Sequence, residues 1–184
     1  ELGNLVKSRI NIRDSAMPLM QELHEKLGES INLGVRQGDE IVYVERTSSG
    51  RSSVRVVHLV GARAPLHVTA VGKLYLAEDG LDKLRDYARR TGLARFTAAS
   101  ITDPAALERE IARVRRDGVA FDNEEIEQGL RCIAAPLRDD SGKLVAGLSV
   151  SAPADRHNPA WAPLLKQTAA AISAAIGFVK PQRD

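Results

Sequence analysis

The sequence contains a single cysteine, Cys132, among 184 residues. One thiol can close no internal disulfide and complete no multi-cysteine zinc pattern, although it can share a metal with histidines and carboxylates. Long apolar runs are also missing. Charge interrupts every hydrophobic stretch before the roughly 20 residues that a membrane-spanning helix needs, and the first residues lack the apolar core of a secretion signal. These absences predict a cytoplasmic protein with no membrane partner. Neither sign of charge is in excess, since 26 Lys and Arg stand against 24 Asp and Glu, without long runs of either. The residues therefore carry no electrostatic footprint for nucleic acid of their own. Repeats and low-complexity tracts are absent as well. What is present is 43% hydrophobic residues, enough at this length to bury one substantial core.

Ile12, Ala16, Leu19, Leu23 and Leu27 recur at helical spacing. They predict a helix over 15–27, capped by Ser15 so that Pro18 falls in its first turn and stopped by Gly28. Residues 1–14 then read as a connector. Alternation in Ile31, Leu33 and Val35, the turn residues QGDE at 37–40 and the β-branched run IVYVERTS at 41–48 predict a hairpin. SVRVVHLV at 53–60 predicts a third strand, with Gly61 and Pro65 marking a loop. Three helices follow: one capped by Thr69, one over 81–90 stopped by Gly92, and one with Asp103 as cap, Pro104 at its first position and Gly118 at its end. A short strand at 119–121, an acidic segment DNEEIEQG, and strands at 131–139 and 143–152 around a DDSG turn come next. A final helix carries Trp161, Leu164, Leu165, Thr168, Ala169, Ile172 and Ile176 on one side. Strands and helices are grouped rather than alternating. This predicts an α+β layer structure with an antiparallel sheet, like a GAF or PAS sensor.

Candidate chemistry is sparse. Gly72-Lys73 fails as a phosphate loop, because His67 stands where the earlier glycine belongs and Leu74 where Ser or Thr should follow the lysine. His67, Asp122 and Cys132 mix ligand types that zinc accepts, but not at the spacing of a known zinc motif. His24, His58 and His157 read as structural, exposed or loop residues. Asp122, Glu124 and Glu125 fit an acid–base cluster, a helix-end patch or a solvated loop, and Asp122 itself a pocket or a turn position. Cys132 reads first as a small buried hydrophobe.

Two stretches, PLHVTAVGKLYLA at 65–77 and RRDGVAFDNEEIEQGLRCIAAPLRDDSGKLVAGLSVSAPADR at 115–156, resemble the signature segments of the IclR effector-binding domain. The resemblance implies a GAF-like curved antiparallel sheet of about six strands flanked by helices over 15–184. It implies too that 1–14 is a linker from a missing N-terminal winged helix-turn-helix domain, through which alone operator DNA would be bound. The family's small-molecule effector, homodimer or homotetramer assembly and non-enzymatic role are implied likewise, with no cofactor. Carried over by position, the pocket would comprise Ala70, Val71, Gly72, Asp122, Leu130, Cys132, Ser149 and Ser151. Strand periodicity agrees, since Leu130, Cys132 and Ala134 share one face, as do Gly147, Ser149 and Ser151. Thr69 caps a helix whose free N–H groups at Ala70, Val71 and Gly72 favour an anion, the serines offer hydroxyls, and Gly147 leaves room. An organic acid, aliphatic or aromatic, is therefore the expected ligand. Asp122 must then be protonated or bond a ligand hydroxyl, and Tyr75 either narrows the pocket or faces elsewhere. Two other readings remain: an orphan GAF-like sensor for a nucleotide or a protein, and a hydrolase using Cys132 or Ser149.

Overall fold

A computed structural model describes residues 2–47 and 60–182, with side chains from residue 12 onward. Six strands form one curled antiparallel sheet in the order β3-β2-β1-β6-β5-β4. They are β1 (Ser30–Gln37), β2 (Glu40–Thr47), β3 (Arg63–Pro65), β4 (Ala120–Asn123), β5 (Leu130–Arg138) and β6 (Leu144–Pro153). The helices are α1 (Leu2–Leu27), α2 (Ala70–Asp79), α3 (Leu81–Thr91), α4 (Pro104–Asp117) and α5 (Ala162–Ala175). The α+β expectation holds, and the hairpins β1–β2 and β5–β6 lie where sequence alternation and the DDSG turn put them.

The sheet is buried on both faces, which is why β5 and β6 read as near-continuous apolar runs. On one face Ile31, Leu33, Ile133, Ala135, Leu148 and Val150 pack against α1 and α5 through Ala16, Met20, Leu23, Leu165, Ala169 and Ile172. On the other, Ile41, Tyr43, Leu130, Cys132 and Ala134 meet α2, α3 and α4. The caps of α4 are as expected: the Asp103 carboxylate accepts from Ala106 N at 2.9 Å, and Gly118 closes the helix at φ +66°.

Three expectations need correction. Helix α1 runs back to Leu2, so Pro18 lies inside it and Ser15 is not its cap. Proline deprives the carbonyl four residues earlier of its donor; burial of Ala16 and Met20 on either side of Pro18 offsets that loss. The strand expected at 53–60, with His58, falls outside the described residues apart from Val60, which is exposed in a turn. Residues 63–65, read as loop, instead form the edge strand β3 on β2. Proline suits that position because an edge strand tolerates the missing donor.

The third correction, after α1 and β3, concerns Gly147, expected to leave room for a ligand. A Cβ built there would lie 2.7 Å from Val71 Cγ1, and one at the neighbouring Gly34 would lie 3.2 Å from the same atom. The two glycines face each other across β1 and β6 and form a notch filled by Val71, so Gly147 admits the N-terminal turn of α2 rather than a ligand. Gly147→Ala is accordingly expected to lower unfolding stability by about 1–3 kcal/mol, and Val71→Ala in the same chain to recover part of it. Urea denaturation of the two variants checks this; an additive double variant would contradict the notch.

Candidate functional site

Cross-strand register builds the site in rows on the α2 face. Asp122 stands opposite Cys132, Cys132 opposite Ser151 and Ser151 opposite Ser30. The adjacent row runs Ala120, Ala134, Ser149, Asn32, Arg46. The next contains Gly147, Gly34 and Tyr43, over which Val71 sits. Rows two residues apart along a strand are separated by about 7 Å, so the start of α2 overlooks the two polar rows.

The structure thus brings together Asp122, Cys132, Ser149 and Ser151, all nearly inaccessible to solvent. Asn32 Nδ2 donates to Ser151 Oγ at 2.8 Å and to Ser149 Oγ at 3.3 Å, and Cys132 Sγ lies 3.3 Å from Ser151 Oγ. Leu130 lies on the same strand face, opposite Pro153. Ala70 and Val71 open α2, where backbone N–H groups precede any intrahelical acceptor. Gly72 does not share that role: its N–H is taken by Thr69 Oγ1 at 3.0 Å. Its missing side chain serves packing, since a Cβ there would fall 2.2 Å from the Leu66 carbonyl oxygen.

Asp122 accepts from Glu125 N at 2.8 Å. Burial, reinforced by the Glu125 charge, pushes its carboxyl from 3.8 up to about 7, so near neutrality much of it is the protonated acid. The same burial raises the Cys132 thiol and the Tyr43 phenol well above their ordinary values, with the Asp122 charge adding to both. A thiol held protonated is a poor nucleophile, and the serine hydroxyls engage an amide and a thiol rather than a base.

The acidic run divides its labour. Glu124, in the left-handed region at φ +62°, pairs with Arg131 at 3.0 Å and accepts from Gly129 N. Glu125 turns inward to Lys73, whose ammonium lies 2.8 and 2.9 Å from its two oxygens. Lys73 is 1% exposed; it also donates to the Phe121 carbonyl at 2.6 Å and to Glu110 at 3.2 Å. The lysine of Gly72-Lys73 is therefore a buried tie between α2, α4 and the end of β4.

The His67, Asp122 and Cys132 metal set is not assembled. Both His67 nitrogens are engaged, at 2.8 Å with the Tyr87 hydroxyl and 2.9 Å with the Ala94 carbonyl, and no three metal-binding side chains converge among the described residues. Tyr75 faces away from the polar rows, its hydroxyl bonding the backbone of Arg36 while burial raises it to about 12. His24 Nδ1 contacts the Glu29 carbonyl at 2.7 Å, and His157 packs edge-on against Trp161.

Sequence reasoning missed Asn32, Tyr43 and Arg46. A register shift between Leu33 and Gly34 places Gly34 opposite Tyr43 but Asn32 opposite Arg46, so residues three apart on β2 face the same way, which strict alternation forbids. Arg46 is half-buried and donates to Ser30 Oγ at 2.7 Å, setting a cation at the margin of the polar rows.

The family model described as "Bacterial transcriptional regulator IclR C-terminal" matches residues 5–174. The chain is 34% identical over 183 residues to the HTH-type transcriptional regulator BhcR of Paracoccus denitrificans, covering 99% of this chain but 65% of that protein. It thus spans just under two thirds of that relative. Among solved structures, the C-terminal domain of the Escherichia coli transcriptional regulator KdgR is similar with a TM-score of 0.79 and 35% identity, over 91% of this chain and 99% of that one. An IclR homolog from Microbacterium hydrocarbonoxydans, complexed with 4-hydroxybenzoate, is similar with a TM-score of 0.84 and 26% identity, over 91% of this chain and 68% of that one.

Proposed function

The chain belongs to the IclR family of bacterial transcriptional regulators, matching their C-terminal domain, and from that premise we propose that it senses a small organic acid at the α2 face and transmits occupancy to an attached DNA-binding domain. The observation that carries this reading is the buried polar set Asp122, Cys132, Ser149, Ser151 and Asn32 beneath the first turn of α2. A core needs no such groups, and burying them is unfavourable unless they are bonded. An acid would meet the helix N-terminal N–H groups and their positive potential, the serine hydroxyls, and an Asp122 able to donate its proton. The relative that holds 4-hydroxybenzoate supports an acid of that size.

Within a homodimer or homotetramer in the cytoplasm, a ligand that favours one arrangement would shift the population competent to hold operator DNA. Function then lies in binding, not turnover. Thermal shift against aliphatic and aromatic acids tests this: a probe at 100 times its dissociation constant raises stability by about 2.7 kcal/mol. The double substitution Ser149→Ala, Ser151→Ala is expected to weaken a bound acid by about tenfold or more. Unchanged affinity would remove the site, and measurable conversion of the acid would remove the sensor reading.

A further inference from the structure

We infer that Asn32 is a specificity-determining residue of this site, and that the ligand carries, besides its acid group, a hydroxyl whose proton Asn32 Oδ1 accepts. The inference rests on the acid-binding reading above and narrows the ligand from any small acid to a hydroxy acid.

Asn32 is fully buried in the middle of the sheet. Both neighbours along the chain, Ile31 and Leu33, point to the α1 face, so the amide is committed to the polar rows. Its Nδ2 is occupied by Ser151 Oγ at 2.8 Å and Ser149 Oγ at 3.3 Å. Its Oδ1, equally buried, meets no donor among the described residues. The two ends of an amide diverge from Cγ, so an Nδ2 directed at the β6 serines turns Oδ1 away from them. A buried carbonyl left without a donor is destabilising, and proteins seldom retain one without a use.

The missing partner must be a donor small enough to lie over these rows. A hydroxyl fits best, since it gives one proton to Oδ1 and keeps lone pairs for a serine hydroxyl beside it. An ammonium group fits poorly: Arg46, opposite Asn32 on β2, is itself a cation, the side chains Ser149, Ser151 and Cys132 are neutral, and the Asp122 carboxyl beyond them is held toward its protonated form. A site built to bond a ligand hydroxyl discriminates strongly against the analogue lacking it, because its own polar atom is then stranded.

Isothermal titration of the 184-residue protein with matched probes tests this: 4-hydroxybenzoate against benzoate and 4-fluorobenzoate, and lactate against propionate. In the series that binds, the hydroxy acid should be tighter than its non-donor partners by about tenfold or more. Asn32→Leu, close in volume but without the amide, should erase that factor, so that the hydroxy acid and its non-donor partners bind this variant equally, whatever the loss both share from the released serines. Equal affinities in the unsubstituted protein, tighter binding of the fluoro acid, or discrimination that survives Asn32→Leu would each overturn the inference and leave acid sensing standing. If no acid of either kind binds, both fail together. Circular dichroism verifies folding; should Asn32→Leu not fold, Asn32→Val removes the same acceptor, and the comparison in the unsubstituted protein decides alone.

Discussion

Replacing Lys73 with methionine is expected to destabilise the domain by about 3–5 kcal/mol, because removing one partner of a buried ionic cluster strands the other. The ammonium is almost wholly enclosed and lies within 3.2 Å of Glu125, of Glu110 and of the Phe121 carbonyl. Methionine fills a similar volume but supplies no donor, so among the described residues the buried Glu125 side chain keeps one bond, from Asn123 N at 2.8 Å. That glutamate also braces the segment after β4, which Thr97 and Ser100 hold from outside by donating to the Glu124 and Glu125 carbonyls. Adding Glu125→Gln to Lys73→Met should restore part of the loss, since a neutral amide replaces the stranded charge. Urea unfolding of the three variants measures the coupling. A loss under about 1 kcal/mol for Lys73→Met would place the pair in the range of ordinary surface ion pairs and contradict its structural role.

The same lysine shows where sequence reading stops. A motif test on Gly72-Lys73 could only exclude a phosphate loop; that its charge is buried against Glu125, 52 positions later, is written in no local pattern. Elements with local punctuation were legible: Asp103, Pro104 and Gly118 fix both ends of α4, and alternation gave both hairpins. Pro18 misled because tertiary burial overrode a local breaker, and β3 because three residues at a sheet edge carry no period. At the candidate site, Asp122, Cys132 and Ser151 did prove to lie in one row across three strands. Asn32 escaped notice since a lone polar residue between Ile31 and Leu33 is what any half-exposed strand shows. Only the pairing with β6 reveals that it is enclosed. Gly147 was read as space although its space belongs to Val71, because a glycine signals close approach without naming what approaches.

Asp122→Asn is expected to stabilise the protein, increasingly as pH rises. With the carboxyl raised from 3.8 to about 7 in the folded chain, the folded state keeps a proton that the unfolded state gives up above pH 4. The stability tied to that proton is complete below pH 4, falls by about 1.4 kcal/mol per pH unit through the interval, and levels off above pH 7. Asparagine has no proton to lose. Its advantage over aspartate should therefore be small at pH 4 and reach about 4 kcal/mol at pH 8, as measured by denaturant unfolding at several pH values. The groups facing Asp122 set this sign: burial and the Glu125 charge raise its carboxyl, Cys132 and Tyr43 are neutral, and the backbone N–H groups of Glu125 and Ile126, with a Lys73 already held by Glu125 and Glu110, offset the shift only in part. The proton should govern acid binding as well. Two carboxylates sharing a dry site cannot both be ionised, so affinity for an acid probe should fall about tenfold per pH unit above 7 in the unsubstituted protein and stay level in Asp122→Asn. A carboxylate whose affinity ignores pH from 6 to 9 in both proteins would mean that Asp122 lies apart from the bound acid, however close it stands to Cys132 and Ser151.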